Sequence, residues 1–105
     1  MNNLARLYER QGRYGEAEPL YQRALAARER VLGAEHPETL TSVNDLAVLY
    51  ASQGRYGEAE PLFQRAALAA ERVLGPNHPS TKTFHANWEQ LRASQGLPPK
   101  SRFAR

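Results

Sequence analysis

The residues that could carry chemistry in this chain are three histidines, two pairs of carboxylates and a glycine-rich turn. His36, His78 and His85 would be candidates for a general base or a metal ligand. The first two stand directly before proline in the same surroundings, His36-Pro37 and His78-Pro79, which marks them as parts of a recurring link. Glu16/Glu18 and Glu58/Glu60 also recur together, early in helical segments where the helix dipole favours negative charge, so they do not read as a converging acid–base pair. The sequence Gly-Arg-Tyr-Gly at 12–15 and 54–57 lacks the Lys and Ser/Thr of a phosphate loop and reads as a helix–helix turn. With no cysteine there is no thiol nucleophile, no thiolate metal site and no disulfide. The reading is of a chain that is not an enzyme and has no cofactor and no metal spacing.

The elements that position these residues come from a repeat. Sliding the chain by 42 lays Asn2–Val43 over Asn44–His85 with 28 identities in 42 positions, and a third copy runs from Ala86 through Gly96. In the first copy Ala17, Leu20, Tyr21, Ala24, Arg28, Val31 and Leu32 fall at helical spacing, mostly apolar on one face. Leu4, Ala5, Leu7 and Tyr8 precede Gly12 as Leu46, Ala47, Leu49 and Tyr50 precede Gly54. The pattern predicts five helices over 2–11, 15–32, 37–53, 57–74 and 79–95. Glycines 12, 54 and 96 are expected to close the first helices in left-handed conformation, and Gly33 and Gly75 to end the second helices in the same way. Pro19 is placed in a first turn, where its missing N–H has no partner to lose. The fold class is all-α: a solenoid of antiparallel helix pairs. Repeat 1 spans 2–43, repeat 2 spans 44–85, and a partial repeat with a capping helix spans 79–96, so the solenoid occupies 1–96. Residues 97–105 read as a flexible basic tail.

These residues carry a resemblance. Asn-Asn-Leu-Ala at 2–5, Leu7-Tyr8, Gln11-Gly12, Tyr14, Glu16-Ala17, Pro19-Leu20, Arg23-Ala24-Leu25, Glu29, Leu32-Gly33 and His36-Pro37 resemble the tetratricopeptide repeat (TPR), in the longer form found in kinesin light chains. The resemblance implies a protein–protein interaction scaffold with a concave groove lined by the first helix of each repeat. Matched by motif, the groove residues are Asn2, Asn3, Arg6, Glu9 and Arg10; then Thr41, Asn44, Asp45, Val48, Ala51 and Ser52; then Thr83, Ala86, Asn87, Gln90 and Ser94. Carboxamides at Asn3, Asn87, Asn2 and Asn44 carry both donor and acceptor and suit the backbone of an extended peptide. One departure concerns Leu25-Ala26, which becomes Ala67-Leu68 and moves the large side chain about 100° round the helix.

The two ends differ. Leu40, Val43, Ala47 and Tyr50 become Lys82, His85, Glu89 and Arg92, which is read as a polar outer face on the last helix, while Phe84, Trp88 and Leu91 keep an apolar inner stripe. Leu4 and Leu7 face where a preceding repeat would pack, so the N-terminal edge is expected to drive self-association into a homo-oligomer. The second reading of function is therefore an assembly module, either oligomeric or the C-terminal section of a longer array. The formal charge of +3 and the pI near 9.6 arise in residues 86–105, with four basic and one acidic side chain, while the repeats are balanced. Nucleic acid is therefore not an expected partner. No apolar run suits a membrane span and no signal peptide is visible, which points to the cytoplasm.

Overall fold

The computed structural model describes residues 2–98, and side chains from residue 4 to residue 98. The side chains of Asn2 and Asn3 and most of the basic tail lie outside the described residues. Five helices follow one another: α1 (Asn2–Arg10), α2 (Tyr14–Leu32), α3 (Pro37–Ser52), α4 (Tyr56–Leu74) and α5 (Pro79–Ser94). Each end lies within one residue of the boundary expected from the repeat. Each helix packs on the one before and the one after, which puts α1, α3 and α5 in one layer and α2 and α4 in the other. The described chain extends 36 × 32 × 19 Å.

The starts of α3 and α5 explain two of the histidines. His36 and His78 are extended N-cap residues, and their Nδ1 atoms accept from the backbone N–H of Glu38 at 3.1 Å and of Ser80 at 3.0 Å. Proline follows at the first helical position, where a fixed φ costs nothing. Pro19 lies differently from expectation. Because α2 begins at Tyr14, Pro19 falls in its second turn and deprives the Gly15 carbonyl of its regular donor. Gly15 is exposed, so that carbonyl is open to solvent.

The glycine turns also need correction. Gly12, Gly54 and Gly96 have φ near +70°, as a left-handed closure requires. Gly33 and Gly75 instead combine φ of 100° and 92° with ψ near 158°, an extended region open in practice to glycine alone. Their N–H groups still close the last turn, on the Glu29 and Glu71 carbonyls at 3.2 and 3.1 Å, but the chain leaves the helix extended instead of left-handed.

The core runs between the layers. Tyr21, Leu40, Val43, Leu49 and Phe63 are buried, and so are Ala17, Ala47, Ala59, Ala66 and Ala70, whose small size lets the helices approach closely. Phe84, Trp88 and Leu91 dock α5 on this core as the sequence pattern requires. Each such side chain contributes roughly 1.5–3 kcal/mol by leaving water.

The outer face of α5 is where the sequence reading fails. Lys82 is exposed and Glu89 partly so, but His85 and Arg92 are buried. His85 Nε2 lies 3.1 Å from Glu71 Oε1 on α4. Arg92 pairs with Glu60, and its Nε donates to the Pro98 carbonyl at 2.7 Å. A carboxylate on α4 meets the polar head of each. The Leu25-to-Ala67 exchange belongs to the same adjustment. Leu25 is buried whereas Leu68 is 43% exposed, and the space beside Ala67 receives the imidazole of His85, which bonds to the Ala67 backbone.

Candidate functional site

The α1–α3–α5 layer holds two depressions. The first, about 460 Å³, is lined by Arg6, Glu9, Arg10, Tyr14, Tyr21, Asn44, Asp45, Val48 and Ser52. The second, about 340 Å³, is lined by Val48, Ala51, Ser52, Tyr56, Phe63, Asn87, Gln90, Leu91 and Ser94. Val48 and Ser52 line both, so the two adjoin in a trough over the C-terminal half of α3.

The first-helix residues come together as the repeat register places them: Arg6 and Arg10 from α1, Asn44, Asp45, Val48 and Ser52 from α3, and Asn87, Gln90 and Ser94 from α5. Thr41 lies outside the trough, exposed, with its hydroxyl donating to the Pro37 carbonyl. Asn2 and Asn3 fall outside the described side chains. Second-helix aromatics form part of the lining and were not among the sequence candidates: Tyr14 and Tyr21 at one end, Tyr56 and Phe63 at the other. Their recurrence seven residues apart at equal repeat positions was the signal available for them, but core packing accounts for the same pattern.

Polar groups in the trough are largely paired with each other. Asn87 Nδ2 donates to Asn44 Oδ1 at 3.1 Å, and Arg6 lies 3.3 Å from Asp45. Tyr21 donates its hydroxyl to Glu9 at 2.7 Å. Burial holds the Asp45 carboxyl above the ordinary carboxylate range although Arg6 opposes it. Burial and the bond to Glu9 raise the Tyr21 hydroxyl well above its usual value. Arg10 has no ion-pair partner among the described residues and is the trough's free positive charge. Asn44 is buried, so the carboxamide row is partly committed to holding α3 to α5.

Such a lining of largely paired polar groups, aromatic rings and small Ala and Ser side chains can seat a chain in extended form. No three His, Asp or Glu side chains among the described residues gather to hold a metal ion. Nor is any described helix long and apolar enough to cross a membrane.

The family model of the tetratricopeptide repeat matches residues 1–67 and again residues 43–100. The chain belongs to the tetratricopeptide repeat family. Its fold is shared with BtubC (BKLC) from P. vanneervenii, a kinesin light chain-like TPR protein, at a TM-score of 0.78 and 26% identity, over 88% of this chain and 36% of that one. A "nucleotide-binding leucine-rich repeat (NLR)-like protein" of Hyaloscypha variabilis (strain UAMH 11265 / GT02V1 / F) is 47% identical over 44 residues, which is 42% of this chain. This TPR chain spans 4% of that relative's length.

Proposed function

We propose that this TPR chain holds an extended peptide or a partner helix in the trough across α1, α3 and α5, as a binding module without catalysis of its own. TPR repeats mediate protein–protein interaction. The observation that carries the narrower reading is that the two depressions adjoin at Val48 and Ser52, so first-helix residues of all three copies edge one surface. Ser52 is exposed, so substitution there alters the trough without disturbing the core. The test is selection of a displayed random-peptide library on the immobilised chain, followed by anisotropy titration of the selected peptides. Ser52→Arg and Val48→Arg should each weaken binding at least tenfold while circular dichroism stays unchanged. Peptides that bind these variants as well as the parent would sink the reading.

A second reading, assembly through the N-terminal edge, is favoured by a separate observation. Leu4 and Leu7 are 47% and 49% exposed, whereas Leu46 and Leu49, which hold the same repeat positions, are 5% and 0% exposed. An edge of this kind is ready to be covered by a partner.

A further inference from the structure

The repeat makes the chain its own comparison: what α3 and α4 do to the repeat before them shows what the matching residues of α1 and α2 can do. Three arginines of the second repeat reach back across the boundary. Arg55 donates to Glu18 at 2.6 Å, Arg65 to Glu29 at 2.7 Å, and Arg72 pairs with Glu35. Between them Leu46 and Leu49 are buried, and Tyr50 receives Gln22 at 3.1 Å.

In the first repeat the same positions hold Arg13, Arg23, Arg30, Leu4, Leu7 and Tyr8. Arg13 has the local partners of Arg55, a carboxylate three residues on and a tyrosine ring at 4.6 Å, but nothing in the place of Glu18. Arg23 and Arg30 are exposed and have no acidic partner among the described residues. The apolar pair and the three guanidinium groups thus stand in the arrangement that, one repeat later, grips a helix pair.

We infer that the α1–α2 edge is a receiving face for the outgoing side of another helix-pair repeat, one with carboxylates at the positions of Glu18, Glu29 and Glu35. This rests on the assembly reading of that edge and names its partner. A folded second copy of the chain presents no such row. Its own Glu18, Glu29 and Glu35 are taken by its own arginines. The matching row of its second repeat is closed by α5, with Glu60 against Trp88 and Arg92 and Glu71 against His85, and Asn77 in the third place. The occupant is therefore an acidic repeat whose outgoing side is uncovered.

The test is a fusion in which a further copy of residues 2–43 precedes the complete chain and supplies the three glutamates. The fusion should unfold at higher urea than the chain alone. Within it, Arg23→Gln of the original repeat and Gln at the Glu29 position of the added copy should each lower the folding constant about two- to fivefold, the double variant no further. Arg23→Gln should be silent in the unfused chain. A more stable fusion whose two positions are uncoupled would overturn the acidic-partner chemistry and leave the assembly edge standing. A fusion no more stable than the chain would overturn both. A dimer of the unfused chain, broken by Leu4→Glu but indifferent to Arg23→Gln, would assign the edge to a second copy and overturn the inference.

Discussion

Asn87 donates to the Asn44 side chain at 3.1 Å and so ties α5 directly to α3, two helices that are not consecutive in the chain. One bond therefore serves both the groove and the attachment of the last helix. A hydrogen bond between neutral side chains is worth about 0.5–1.5 kcal/mol. Asn87→Ala and Asn44→Ala should each lower stability by about that amount, and the double variant should cost little more than the larger single one. Urea unfolding of the four proteins gives the coupling; strictly additive losses would show that the pair is not formed in solution.

Phe84 is the second anchor of α5. Its removal leaves a cavity between α4 and α5, and Phe84→Ala should cost about 3–5 kcal/mol, a large share of the roughly 5–15 kcal/mol of a small domain. Trp88, the chain's only tryptophan, is 2% exposed, so its emission reports whether α5 is docked. In the variant that emission should shift to the red at lower urea than the helical signal is lost. Coincident transitions would mean that α5 does not come away as a unit.

His85 makes stability depend on pH. Burial pushes the imidazole below its ordinary value of 6.5, against the opposing pull of Glu71 on α4, Glu89 on α5 and the Ala67 carbonyl. Between the folded and unfolded values the unfolded chain binds more protons, so stability is complete above pH 6.5 and falls as the pH drops below it. The raised Asp45 carboxyl has the opposite sign, at pH values above 3.8. Chemical denaturation at about pH 7.5 and about pH 5.5 should show the parent weaker at the lower pH. His85→Gln should flatten this difference; an unchanged slope would clear His85 of the effect.

The turn glycines can be sorted by backbone alone. A Cβ at Gly15, Gly33 or Gly75 would touch nothing within 4 Å, so space is not the constraint. Gly33→Ala and Gly75→Ala force an alanine into a conformation it avoids and should cost about 1–3 kcal/mol. Gly15→Ala lies in α2 and should instead be neutral or stabilise by up to about 1 kcal/mol. Thermal melts compare the three; equal effects would argue that Gly33 relaxes without loss.

The repeat register made the helices, the inner stripe of Phe84, Trp88 and Leu91, and the gathering of first-helix residues legible before any coordinates. What it left out were features decided by how a side chain folds rather than where its Cα stands. His85 and Arg92 are polar residues expected on an exposed face, yet both are buried, with Glu71 and Glu60 within reach. The Asn44–Asn87 bond is not legible in the sequence either, because two carboxamides on neighbouring first helices look like free binding groups until their spacing is known. Tyr14 and Phe63 are not distinguishable in sequence as groove residues, since one aromatic ring can fill a core and edge a groove at once.

The reach of these contacts sets how the chain folds. No side-chain hydrogen bond among the described residues joins positions more than 43 apart in sequence. Each helix meets helices one or two places away in the chain, so loop closure is cheap and the contact order is low, the condition under which small proteins fold fastest. A nucleus can form at either helix pair and spread one unit at a time. A nascent chain would need little more than one repeat clear of its synthesis machinery before native contacts begin to form.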